Sequence, residues 1–404
     1  MSGDVAAPKK MRPSERWAPF DDWDYGGMSE PFSAGQYWCC FELVAPDDDR
    51  FLVARVRLPK HPESNATDAD EEYLIQCEVA AMKFLRANSR TVPLPTLYAY
   101  EAPGSVRAIN AGAAYMLIEG FYGNSLQDVD HSIYNLPVST QEHIFAQWTS
   151  FQAELATFTF PQIGSISQYS TDTGPIIGAI ATSWIDSLPA AGPFHSGWDY
   201  FVAVSKGLVA QALEKKRSGM ENNQFATLGP LIFRNIVRDT EIFKGDLNQG
   251  PFHSNHMDMG MQNILIDDDF NFVAVIDWEL AQSAPWEVNH CPMPIPLISS
   301  DRETAEILYD PGHTAHRNMP RQVGARLLYR QKFQEAEQGL EKRGNPLRYS
   351  IAEVLEGTAS RIYGVVGKIG VFDGMEEELT GPEAEQYVQR LGEEMEGEMI
   401  AGVN

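Results

Sequence analysis

Cysteine is scarce in this chain of 404 residues. There are four, Cys39, Cys40, Cys77 and Cys291, with no CxxC pair among them. That excludes a disulfide-built scaffold and fits free thiols in a reducing compartment. Long apolar runs are missing as well: no stretch approaches the roughly 18 residues of a membrane span. The opening MSGDVAAPKKMRPSERW has no apolar core of the kind a secretory signal needs. The expectation is a cytoplasmic protein with no membrane partner. Cations are in deficit too, with 31 Lys and Arg against 56 Asp and Glu, a net charge of −25. Such a balance disfavours nucleic acid and anionic lipid as partners and is compatible with a cationic ligand. What is present, 43% hydrophobic and 22% charged residues, is ordinary for a globular protein. The length suits one bilobal enzyme or two to three domains.

One stretch concentrates the chemistry. Phe252 to Glu279 reads FHSNHMDMGMQNILIDDDFNFVAVIDWE. His256 and Asp258 are followed by Asn263, the apolar run Ile264 to Ile266, a polar turn Asp267 to Asp269, and a second apolar run Phe272 to Ile276 that ends on Asp277. Two short β-prone runs joined by a polar turn predict a hairpin whose outer ends converge, so Asp258 and Asn263 can face Asp277. Phosphoryl transfer needs a carboxylate near the attacking hydroxyl and oxygen ligands that hold Mg²⁺ on the nucleotide phosphates. Asp258 suits the base, and Asn263 and Asp277 suit the metal.

The order H-x-D-x-x-x-x-N, strand, turn, strand, D resembles the catalytic loop and metal-binding aspartate of the protein-kinase-like fold. Within that fold the sequence is most similar to the aminoglycoside phosphotransferase and choline kinase group, particularly its fungal members. Their pattern is H-G-D-x-H-x-x-N-I-L-V-D followed by I-D-W-E. This chain keeps His256, Asp258, Asn263, Ile264, Leu265, Asp267, Ile276, Asp277, Trp278 and Glu279, and departs from it at Met257 and Gly260. The resemblance implies an α+β, bilobal fold with a small β-rich lobe carrying one main helix and a larger, mostly helical lobe. It also implies ATP and Mg²⁺ as cofactors and a small-molecule hydroxyl as acceptor.

Along the chain, residues 1–27 have few periodic apolar positions and are expected to form an irregular extension. Residues 28–118 are expected to form the nucleotide-covering lobe and residues 119–404 the lobe with the catalytic loop, metal site and acceptor pocket. Tyr37 to Val44 and Phe51 to Leu58 predict an antiparallel hairpin. Where the family places its nucleotide-covering loop, this chain has Ser33 and Gly35. Arg55 and Arg57 share one face of their strand, and the resemblance favours Arg55 as the phosphate-binding cation. The segment EEYLIQCEVAAMKFLRA has helical periodicity, and by resemblance its Glu78 pairs with the basic strand residue. Tyr115 to Phe121 predicts a strand entering an interlobe hinge, with adenine meeting backbone groups at Glu119 and Phe121. Thr140 to Phe158 is a buried-helix pattern. Residues 161–244 read as an irregular part followed by two helices, around Trp198 to Lys215 and Phe225 to Val237. Further helical patterns span Arg321 to Lys342 and Ile351 to Val366, and one last helix is expected over Ala384 to Met395.

Two other readings compete. A nucleotide-binding pseudokinase or scaffold is motivated by the single glycine of the covering loop and the departures at Met257 and Gly260. A transition-metal hydrolase would use His253, His256 and His290 with Asp258, which needs that stretch to be helical.

Overall fold

The computed structural model describes residues 31–35, 37–44, 50–60, 66–129, 133–218, 225–288 and 301–365. The expected N-terminal extension, Gln36, Cys291, His290 and the expected helix over Ala384 to Met395 lie outside the described residues.

The described residues begin with a five-stranded antiparallel sheet built from β1 (Ser33–Ala34), β2 (Trp38–Val44), β3 (Phe51–Arg57), β4 (Leu97–Glu101) and β5 (Tyr115–Glu119), in the spatial order β1-β2-β3-β5-β4. Strict alternation in β3 buries Phe51, Val53, Arg55 and Arg57 on one face, as a period of two residues requires. The sheet packs on α1 (Asp68–Asn88). Asp68 and Asp70 belong to the acidic stretch that precedes the predicted helix, yet the structure puts them in its first turn. Thr67 and Asp70 form a reciprocal capping box, and three acidic residues there complement the positive end of the helix. A short α2 (Val106–Ala111) joins β4 to β5.

After β5 come β6 (Asn124–Ser125), α3 (Leu126–Val129) and α4 (Val138–Thr157). Ile144, Phe145, Trp148 and Leu155 of α4 are buried, and α4 packs against the later α8 (Met319–Lys342) through Phe145 and Tyr329. Strand β7 (Thr159–Phe160) leads to a hairpin of β8 (Ile166–Ser170) and β9 (Gly174–Ile177). This hairpin was not expected in the segment read as irregular. It lies against α1, where the Tyr73 hydroxyl donates to Ala179 O at 3.0 Å. The two helices expected next are α5 (Gly197–Arg217) and α6 (Phe225–Asp239).

Strand β10 (Phe252–Asn255) is central to a three-stranded sheet between β7 and β13 (Gln282–Ala284), and β11 (Ile264–Ile266) pairs with both β12 (Phe272–Val275) and β6. The remaining elements are α7 (Asp301–Tyr309), α8, α9 (Ile351–Val354) and α10 (Thr358–Val365). The single helix expected over Ile351 to Val366 is thus interrupted around Gly357. The architecture is α+β, a β-rich lobe with one main helix followed by a larger, mostly helical part. No helix among the described residues is long and apolar enough to cross a membrane.

Candidate active site

The hairpin predicted from the two apolar runs is β11-β12, with Ile264 opposite Val275. Its ends are tied together: the Ile276 N–H donates to Asn263 O at 2.9 Å, and His256 Nε2 lies 3.0 Å from Ile276 O. His256 is fully buried and its ring sits 4.4 Å from that of Trp278. Burial lowers its pKa to about 4, so the ring is neutral near pH 7. The Asp258 N–H donates to His256 Nδ1 at 3.3 Å, which leaves the ring proton on Nε2 to donate to Ile276 O. His256 therefore braces the loop, tying Asp258 to Ile276.

Asp258 emerges from that loop half-buried. The Asn263 amide donates to both its backbone O (2.8 Å) and its Oδ2 (2.9 Å), and Gln262 donates to its Oδ1 at 3.2 Å. Burial raises the Asp258 pKa, and the negative charge of Asp277 raises it further; the two amide donors pull it back. Because the Asn263 amide nitrogen is turned toward Asp258, its Oδ1 has no hydrogen bond to any described residue.

Asp277 follows β12 in a left-handed conformation, φ 65°. That turns the chain sharply and directs the carboxylate at the sheet lobe. Arg55 Nη2 is 2.9 Å from Asp277 Oδ1, and Arg55 Nη1 is 2.5 Å from Glu78 Oε1. The strand arginine favoured by resemblance thus bridges the α1 glutamate and the hairpin aspartate. Glu78 is 1% exposed. Burial pushes its carboxyl up to about 7, and Asp277 and Glu279 add to the rise while Arg55 opposes it. Burial also works against the Arg55 charge, but Glu78 and then Asp277 outweigh it and keep the guanidinium protonated. Arg57, the other candidate, is buried too but ends on different carboxylates, Glu279 at 3.4 Å and Glu71 at 3.7 Å.

Ser33, Cys40, Arg55 and Met116 are cross-strand partners in one row of the sheet, so the Ser33 side chain shares the Arg55 face. The Gly35 N–H donates to Trp38 O at 2.8 Å and closes the following turn. Glu119 lies at the end of β5, its carboxylate committed to the Thr96 N–H and hydroxyl. Phe121 follows, with no acceptor for its N–H among the described residues. A Cβ at Gly123 would sit 2.5 Å from Ile266 O; only glycine lets the connection pass this close to β11.

Both departures from the family pattern have a local account. Met257 adopts φ 65°, the region where glycine is free and a side chain costs about 1–2 kcal/mol. Its N–H donates to Asn255 Oδ1 at 3.0 Å while Asn255 Nδ2 donates to Val288 O at 2.8 Å. Asn255 therefore holds the loop in this shape, a part that sequence reasoning missed. At Gly260, the Gln262 side chain occupies the space a Cβ would take, 2.2 Å from that position, and reaches Asp258 from there. The hydrolase reading loses its basis, because β10 is a strand. His253 and His256 each have Nε2 within 3.2 Å of a backbone carbonyl, and no cluster of three or more His, Cys, Asp or Glu placed to hold a metal occurs among the described residues.

Similar solved structures include a macrolide 2'-phosphotransferase type I, 13% identical, covering 87% of this chain and 88% of that one at a TM-score of 0.38. Another is the Plasmodium vivax ethanolamine kinase, 10% identical, covering 82% and 80% at a TM-score of 0.38. No curated protein sequence matches. The profile of the phosphotransferase enzyme family matches residues 43–288, a span that holds Arg55, Glu78, Asp258, Asn263 and Asp277, and the chain belongs to that family.

Proposed function

We propose that this protein transfers the γ-phosphoryl group of ATP to a hydroxyl of a small molecule, with Asp258 as the base. The observation that carries the reading is the continuous chain of contacts from Glu78 through Arg55 to Asp277, beside an Asp258 fixed by Asn263. Membership of a phosphotransferase family supports it.

Asp258 would accept the proton of the acceptor hydroxyl as its oxygen bonds to the γ-phosphorus and the bond to the β-phosphate oxygen breaks, releasing ADP. Arg55, kept charged by two carboxylates, would meet the phosphates. Ser33 and Gly35 would cover them, and backbone groups at Glu119 and Phe121 would meet adenine. The donor set fits Mg²⁺, an ion that takes one or two protein oxygens and completes its shell with phosphate and water. Asn263 has its Oδ1 free of described donors, and Asp277, its side chain 39% exposed, hydrogen-bonds Arg55 through one oxygen only. Bound there, the ion would neutralise phosphate charge and orient the leaving group. The division into a nucleotide-covering lobe over residues 28–118 and an acceptor lobe over residues 119–404 belongs to the same proposal. The net charge of −25 favours a cationic acceptor.

The test is Asp258→Asn. It should leave Mg·ATP affinity nearly unchanged and lower turnover about 10²–10⁴-fold, the range for loss of a positioned base. The measurement is product formation with the best acceptor from a screen of amino-sugars, choline-like amines, amino acids and sugars. Wild-type turnover in the variant would remove Asp258 as base. Mg·ATP binding without transfer to any acceptor would favour a nucleotide-binding protein instead.

A further inference from the structure

The signature ends in a second carboxylate two residues beyond Asp277, Glu279, and its contacts run to β2 and β3. Trp278, between them, turns the opposite way. It is buried beside His256, and its Nε1 donates to Val275 O at 2.9 Å. Glu279 is 7% exposed, and its Oε2 accepts from Trp38 Nε1 at 2.9 Å and from Arg57 Nη1 at 3.4 Å. Trp38 of β2 and Arg57 of β3 are themselves cross-strand partners. The Trp38 ring lies beneath both strand guanidinium groups, 4.7 Å from that of Arg55 and 5.1 Å from that of Arg57. Consecutive inward arginines of β3 are thus each held by one carboxylate of a three-residue turn, Arg55 by Asp277 and Arg57 by Glu279, with one indole packed against both.

We propose that Glu279 is a positioning residue: it docks β2 and β3 onto the turn that carries Asp277, and so sets where Arg55 stands relative to Asp277, without touching metal or nucleotide. This rests on the phosphotransferase reading above. Both contacts end on Oε2 of a side chain that is 7% exposed, and they hold the carboxylate toward β2 and β3. A hydrogen bond to a charged group is stronger than one between neutral groups. Losing it should let the sheet lobe drift from the register in which Arg55 reaches the phosphates.

The experiment compares Glu279→Ala, Glu279→Gln, Trp38→Phe and the Glu279→Ala/Trp38→Phe double variant. KM for ATP, kcat, the Mg²⁺ concentration giving half-maximal activity, Mg·ATP affinity by calorimetry and the thermal midpoint are measured for each. Glu279→Ala should raise KM for ATP about tenfold or more, with kcat changed far less and the Mg²⁺ requirement unmoved. Glu279→Gln keeps an oxygen for the Trp38 N–H and should recover part of the loss. Trp38→Phe keeps a ring under the two arginines and removes only the donor. It should raise KM in the same direction, and the double variant should be no worse than Glu279→Ala by more than about twofold.

A higher Mg²⁺ requirement in Glu279→Ala would make Glu279 a metal ligand and overturn the proposal. So would a lower thermal midpoint with unchanged KM and Mg·ATP affinity, or additive effects in the double variant. Should Glu279→Ala not fold, Trp38→Phe alone decides: an unchanged KM overturns the proposal. A wild type that binds no Mg·ATP would instead overturn the phosphotransferase reading on which it rests.

Discussion

Asp258 holds its proton more tightly than an exposed aspartate because burial and the Asp277 charge both penalise its ionised form. In its proposed role as base Asp258 works only when deprotonated, so activity should fall on the acid side as pH drops through this raised pKa. Gln262 donates to the carboxylate and favours ionisation. In Gln262→Ala, therefore, the acid limb of the kcat/KM profile should move to higher pH; an unmoved limb would remove Gln262 from the base's surroundings. A second buried carboxyl has no visible part in the chemistry. Burial pushes Glu287 up to about 7 from an ordinary 4.5, and its Oε2 has no hydrogen-bond partner among the described residues. The folded state then binds the proton more tightly than the unfolded chain. Stability should fall as pH rises from about 4.5 to about 7 and level off above, by about 3 kcal/mol in all. Glu287→Gln has no such proton, so it should gain on the wild type between pH 5 and pH 8. Urea unfolding at the two values measures it, and an equal difference at both would contradict the assignment. In the sequence Glu287 looks like any other acidic residue, since burial is a property of what packs around it.

Elements whose own residues carry a periodic signal were legible. β2 and β3, α1, α4, α5, α6 and the β11-β12 hairpin all lie where their apolar spacing predicts. The β8-β9 hairpin was missed because polar residues, Gly174 and Pro175 break up its apolar alternation, Ile176 faces outward, and it packs on α1, far away in sequence. The helix pattern after Ile351 was read as continuous because apolar spacing persists across Gly357 while the backbone turns. One close approach tests how tightly the β5–β6 connection meets the hairpin. At Gly123 an added Cβ meets a backbone carbonyl, which cannot swing aside, so Gly123→Ala should destabilise by about 1–3 kcal/mol. Gly324 offers the contrast. It lies within α8 with nothing within 4 Å of an added Cβ, and Gly324→Ala should stabilise by about 0.5–1 kcal/mol. Denaturant midpoints at constant slope measure both; a neutral Gly123→Ala would mean that β6 and β11 separate easily.

Across the whole molecule, the Arg55 bridge joins sheet, helix and hairpin at one buried point. Arg55→Ala should cost about 3–5 kcal/mol of stability, since it strands Glu78 in the interior without its cation, and should weaken Mg·ATP binding. Glu78→Ala added to it should cost much less than the sum of the two single changes. Unfolding and calorimetry on the three variants measure this, and strict additivity would mean that the two residues act apart. The sequence by itself determined the hairpin with Asp258, Asn263 and Asp277 at its ends and a family likeness resting on that spacing, and the likeness brought the α+β class with it. Local order is enough for these, because strand alternation and turn residues act over a few positions. Only the tertiary structure decided that Arg55 bridges Glu78 and Asp277, that Arg57 belongs with Glu279, that Gln262 and Asn255 support the Asp258 loop, and that the Glu287 carboxylate is buried. Those are contacts between distant segments, and which of several equivalent charges meet is set by packing and the desolvation of each buried group, neither of which is written in the local sequence.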